Sequence, residues 1–194
     1  MDRAAAIMDD YLSGKTAFEF IDEVVVNALD YIGNGWHKGE YALSQVYMSG
    51  RISEDLLEKV LPDESNLRKV KPKMAIALLN DYHALGKRMV YAVLRAGGYE
   101  LIDYGRVDAE ELIGRVTEDK LEVIMISVRM LTSALKIKDI VRILKQGSNK
   151  VSIIVGGAPF RLDQTLWQEV GADAVGYTAS DALQIVKRLE GGLK

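Results

Sequence analysis

The sequence predicts an α/β protein in two parts: an N-terminal helical bundle over residues 1–62, and a doubly wound five-stranded parallel sheet over residues 73–194. Three observations predict it. Apolar residues in the first third recur at helical spacing. From Met74 onward, short and nearly continuous apolar runs alternate with helical stretches, the pattern of parallel strands covered on both faces. Between the two parts, residues 63–72 are mostly polar and flanked by Pro62 and Pro72, a linker composition.

In the helical part, Ala4 to Leu12 is a short Ala-rich segment stopped by Ser13 and Gly14. Thr16 and Glu19 then stand at capping-box spacing, where hydroxyl and carboxylate each satisfy a free backbone donor. The next helix carries Phe20, Val24, Ala28 and Ile32 on one face, and Gly33-Asn34-Gly35 is expected to end it. A third helix is expected from Tyr41 to Leu61, with Leu43, Tyr47, Leu57 and Leu61 turned inward. Gly50 lies inside it at some cost, and Pro62 ends the pattern.

The strand candidates of the second part are Met74–Leu79, Glu100–Tyr104, Val123–Ser127, Ser152–Val155 and Ala174–Gly176. Helices are expected between them near 87–96, 109–117, 134–145, 164–170 and 181–189. Five such units fit the flavodoxin-like (Rossmann-type) strand order 2-1-3-4-5, although periodicity alone leaves other doubly wound orders open.

Composition narrows the function classes. The formal charge is −3 and the basic residues are scattered, which argues against a nucleic-acid footprint. No apolar run is long enough to span a bilayer, and the N-terminus carries no leader pattern, so a cytoplasmic protein is expected. The absence of cysteine excludes disulfides, thiolate metal sites and cysteine nucleophiles.

In a sheet of this order, ligands lie beyond the C-terminal ends of the strands, between the first and the third. The loop after the first strand is Asn80-Asp81-Tyr82-His83-Ala84-Leu85-Gly86, that after the third runs from Ser127 to Ser133, and the fourth strand ends in Gly156-Gly157-Ala158-Pro159. Asp81 and His83 can form a carboxylate–imidazole pair that fixes the tautomer and strengthens the other ring nitrogen as a metal ligand. By itself an Asp-x-His near a strand end also suits a surface hydrogen bond, and paired glycines also suit a plain turn.

In combination these residues resemble the cobalamin-binding module of corrinoid methyl-carrier proteins. The pattern is Asp81-x-His83-x-x-Gly86, then Ser127 opening a Ser-x-Leu position, then Gly156-Gly157, each at a strand end. Gly98 to Gly105 resembles the family's second strand, and Gly171 to Ala174 its approach to the last. Trp36 to Leu43, followed by Met48-Ser49-Gly50, resembles the family's helical cap. Four positions depart: Asn80 replaces a glycine, Ala84 an aspartate, Arg129 the leucine of Ser-x-Leu, and Ser44 a proline.

The resemblance implies cobalamin, as methylcobalamin or hydroxocobalamin, bound base-off with His83 on the cobalt, Asp81 orienting it and Ser127 near the tail's base. Tyr82, Leu85, Gly86, Leu131, Thr132, Gly156, Gly157, Ala158, Tyr177 and Thr178 complete the expected cofactor site. It implies a non-catalytic carrier subunit served by a substrate-specific methyltransferase, an acceptor methyltransferase and a reductive activase, with a homodimer also open. A cobalamin-dependent sensor acting through a protein partner is the alternative, and a flavodoxin-like domain with another ligand the plainest one. For single residues, two readings stand side by side. His37 either covers the cobalt's upper face or ends a helix; Trp36, Tyr47 and Met48 either shield the methyl position or fill the bundle; Lys87 and Arg88 either meet a phosphate or corrin amide or lie in solvent. Asp108 and Glu111 read as a helix cap.

Overall fold

The computed structural model describes residues 2–15, 17–60, 72–82, 84–147 and 150–192. Its sheet contains β1 (Met74–Leu79), β2 (Ile102–Val107), β3 (Val123–Ser127), β4 (Ser152–Gly156) and β5 (Ala174–Gly176), all parallel, in the order β2-β1-β3-β4-β5. Of the orders that periodicity left open, this is the flavodoxin-like one. All six residues of β1 are buried, as a central strand covered on both faces requires.

Alternation along the strands divides the core. Ala75, Ala77, Leu79, Ile124, Ile126 and Ile153 face α6 (Ala109–Glu118) and α7 (Leu131–Gln146), where Leu112, Val116, Ile137 and Ile140 meet them. Met74, Ile76, Met125 and Ile154 face α5 (Leu85–Ala96) and α10 (Ala179–Gly192) through Val93, Leu94, Leu183 and Val186. The short α8 (Ala158–Leu162) and α9 (Leu166–Glu169) stand where one helix over 164–170 was expected. Asp163 separates them: its backbone is extended and its carboxylate accepts from the Thr165 amide at 2.9 Å. As expected, Asp108 caps α6, accepting from the Glu111 amide at 2.9 Å.

The N-terminal helices are α1 (Asp2–Leu12), α2 (Ala17–Phe20), a π-helical segment at Ile21–Val26, α3 (Asn27–His37) and α4 (Leu43–Val60). They lie against α5, and Met8, Phe20, Val25, Leu29 and Leu56 join the same core as Val93 and Leu183. The π segment corrects the expected stripe. One extra residue per turn carries the inward face from Phe20 to Val25 and Leu29, leaving Ala28 exposed. Gly33-Asn34-Gly35 does not end the helix, which continues to His37. A Cβ at Gly35 would overlap the Tyr41 ring, so that glycine admits an aromatic side chain instead of a turn. In α4, Leu43 and Tyr47 are exposed, while Val46, Ser53 and Leu56 are buried; the true inward face lies a position away from the expected one. The side chain of Leu57, together with Thr16, Leu61, Pro62 and most of the linker, lies outside the described residues.

β2 begins two residues later than expected. Gly98, at φ 83°, turns the chain so that Tyr99 and Leu101 enter the core ahead of the continuous ladder with β1, which starts at Ile102. A bulge follows, with Ile76 opposite Asp103 and Ala77 opposite Gly105, which adopts φ 68°. Among the described residues no helix is long and apolar enough to cross a membrane.

A candidate cofactor slot at the sheet rim

The site is assembled from the loops that follow β1, β3 and β4. At the end of β1, Asn80 takes φ 50°, a left-handed turn that asparagine tolerates, and its amide donates to the Val107 carbonyl at 3.0 Å. This accounts for asparagine at a position where a glycine was the pattern. Asp81 follows, only 5% exposed, and its carboxylate accepts from the Tyr82 amide at 2.7 Å and the Arg129 amide at 3.1 Å. One buried side chain therefore ties the β1 loop to the β3 loop. Arg129 contributes through its backbone while its side chain is exposed, so the missing leucine of Ser-x-Leu leaves no hole in the core. His83 lies outside the described residues, as do the side chains of Leu85 and His37.

Tyr82 is largely exposed, with the Arg106 guanidinium 3.8 Å from its ring centroid. Ser127 ends β3 opposite Gly156, and the Val128 amide donates to the Gly156 carbonyl at 3.0 Å. At φ 117°, Gly157 is held in a conformation open to glycine; a Cβ there would overlap the Val128 carbonyl. A Cβ on Gly156 would lie 2.9 Å from the Gly176 carbonyl oxygen. The glycine pair thus lets three strand ends close on one another. Leu131, Thr132 and Ala158 are exposed on the same rim, and Tyr177 and Thr178 are half-buried at the end of β5.

Beneath this rim lies a cavity of about 310 Å³. Ile76, Met125 and Ile154 form its floor, Met89 and Val90 of α5 and Ala179 and Ala182 of α10 its walls. Ser127, Gly156 and Gly157 border it, and α3 contributes Leu29, Gly33 and Trp36. Of the residues weighed as a cap, Trp36 reaches the cavity, whereas Tyr47 and Met48 are exposed on α4. The size falls at the lower end of the roughly 300–1,000 Å³ range of small-molecule sites. A floor of aliphatic and thioether side chains suits a flat apolar ring and repels a charged one. Among the described residues, nothing lies within 4 Å of where a Cβ on Gly86 would stand, and that glycine also borders the cavity.

Asp181 and Arg161 escape the sequence reading as site residues, and that reading misplaces Lys87. Asp181 accepts from the Tyr177 and Thr178 amides at 2.9 and 2.8 Å, while its own amide donates to Thr178 Oγ1 at 3.2 Å. This reciprocal cap was readable, since Thr178-x-x-Asp181 has the spacing. Lys87 corrects both readings offered for it: it is 4% exposed and ion-paired with Asp103 on β2. Arg161, on α8, donates from Nε to the Tyr177 carbonyl at 2.9 Å. Nothing local in the sequence signals either pairing, because each joins distant segments.

A model described as a B12 binding domain matches residues 73–187, and a second model of that description matches residues 1–60. A corrinoid protein of Desulfitobacterium hafniense is 29% identical over 194 aligned residues, covering 93% of this chain and 89% of that protein. The trimethylamine corrinoid protein of Methanosarcina barkeri is 29% identical over 184, covering 90% and 83%. Among solved structures, the monomethylamine corrinoid protein of Methanosarcina barkeri superposes with a TM-score of 0.60 at 26% identity, over 94% of this chain and 88% of that one. Since one of these models spans more than half of the chain, including the sheet and the rim loops, the chain belongs to the B12-binding domain family.

Proposed function

We propose that the chain is a methyl-carrying corrinoid protein of the cytoplasm, holding cobalamin base-off with His83 as the lower axial ligand of the cobalt. It would accept a methyl group from a substrate-specific methyltransferase and yield it to an acceptor methyltransferase. The observation that carries this reading is the apolar slot opening where the Asp81 loop, Ser127 and the glycine pair converge. The relatives add support: they are named as corrinoid proteins, two of them for methylated amines, which are compact methyl donors.

Within that reading each residue has a physical task. Two backbone amides anchor the Asp81 carboxylate, a group that can also accept from an imidazole N–H. Held this way, Asp81 would fix the His83 tautomer and raise the basicity of the coordinating nitrogen. The same pair would also be able to hold a proton on the His83 ring when that nitrogen is not coordinating. Ile76, Met125 and Ile154 exclude water from the tail's base, with Ser127 at the edge as a neutral hydrogen-bonding group. Bound cobalamin supplies the methyl chemistry, and the protein supplies placement and electronics. Residues 1–62 serve as the cap over the module at 73–194.

The test is reconstitution with hydroxocobalamin and the visible spectrum. The wild-type chain is expected to take up the corrinoid with its axial base displaced, and His83→Ala to lose that spectrum. If His83→Ala keeps wild-type spectrum and affinity, the axial ligand is not His83. A loaded, reduced sample that accepts no methyl group from any cognate methyltransferase would remove the carrier role while leaving the cofactor.

A further inference from the structure

We infer that Arg161 is the phosphate-binding residue of the slot, and that it makes the chain select corrinoids with a complete nucleotide tail; this rests on the cobalamin reading above. Among the described residues, the slot is lined by apolar, small or neutral polar side chains with one charged exception, Arg161, and no carboxylate lines it. The buried floor and the exposed Arg161 put the cation at the solvent end of the lining.

The guanidinium is not loose. Its Nε donates to the Tyr177 carbonyl at 2.9 Å and its Nη2 to the same oxygen. That carbonyl belongs to the segment whose amides Asp181 holds, so the anchor is itself anchored. Two of the five N–H donors are used in this way; among the described residues no other partner takes the remaining three. Gln164 lines the same end and adds a neutral donor. A fixed guanidinium with free donors is suited to an anionic oxygen pair, which a planar fork binds more strongly than a neutral group does. An apolar slot with one such cation at its mouth calls for a flat aromatic base joined to a single anionic phosphate. The cobalamin tail has both, with the phosphodiester between the corrin and the base. A corrinoid stripped of its nucleotide, such as cobinamide, offers neither.

The experiment titrates the full chain with hydroxocobalamin and with cobinamide, following absorbance, for wild type, Arg161→Ala and Arg161→Lys. Arg161→Ala is expected to weaken cobalamin by roughly ten- to a hundredfold, the range for losing a charge-assisted hydrogen bond. Cobinamide affinity should stay unchanged, and Arg161→Lys should recover part of the loss. Equal losses for both corrinoids would overturn the inference, since Arg161 would then act only by holding the Tyr177 segment. An unchanged cobalamin affinity in Arg161→Ala would overturn it as well. Wild-type chain binding neither corrinoid would remove the cofactor reading and the inference together, a result distinct from the other two.

Discussion

The two faces of the sheet are made by the same strands and packed to different ends. Toward α6 and α7, Ala75, Ala77, Ile124 and Ile153 meet a layer of Leu, Ile and Val side chains that bury them completely. Toward α5 and α10, Ile76, Met125 and Ile154 meet walls that stop short and leave about 310 Å³. The lesson concerns side-chain size. Ala179 and Ala182 on α10 are small where they border the slot, and two of the three methionines on this side of the sheet and α5, Met89 and Met125, line it. One face is built for stability. The other holds space open, and the core around it is correspondingly less complete.

Substitutions can break or sharpen this contrast. The largest effect is expected from Ile124→Ala on the closed face, about 4 kcal/mol in denaturant unfolding, against about 2 kcal/mol for Ile154→Ala, whose side already lacks neighbours. Equal losses would mean that the slot is not a packing defect in the ligand-free chain. Next, Gly157→Ala should cost about 3 kcal/mol in thermal unfolding, through its positive φ and the overlap with Val128. A variant as stable as wild type would show that the strand ends do not close on one another at Gly157.

Adding bulk reverses the comparison. Ala134→Leu on the closed face should cost about 2 kcal/mol, whereas Ala182→Leu, which points at the slot, should cost under about 1 kcal/mol and lower cobalamin affinity instead. The smallest effect concerns a feature that the two faces share. Tyr104 donates to Asp119 on the closed side, and Tyr99 to Glu190 on the open one. Burial first, then the neighbouring carboxylate, raises both phenols well above their ordinary value. A raised phenol contributes stability that is present below about pH 10 and fades as pH rises through the folded-state value, because the unfolded tyrosine ionises first. Tyr104→Phe should therefore cost about 1 kcal/mol near neutrality and show a shallower alkaline loss than wild type in unfolding titrations.

Much of this was legible in the residues themselves. The β1, β3 and β5 limits agree with the apolar runs, because a strand buried on both faces must be apolar throughout. The rim loops could be placed because strand ends follow from strand order. The misplacements have specific causes: a π segment that shifts α3 by one residue, a glycine chosen to admit Tyr41, and a bulge at Asp103–Gly105. None of these alters local hydrophobic periodicity enough to be read from it.

The order and type of the elements, and the gathering of Asp81, Ser127 and Gly156-Gly157 at one rim, were determined by the sequence alone, since periodicity and strand ends are local properties. Tertiary structure decided that Asp81 would hold Arg129, that Lys87 would be buried on Asp103, and that Arg161 would line the slot while holding the Tyr177 carbonyl. Those are contacts between segments far apart in the chain, and whether a charge is buried, paired or free depends on which distant neighbours the fold brings beside it.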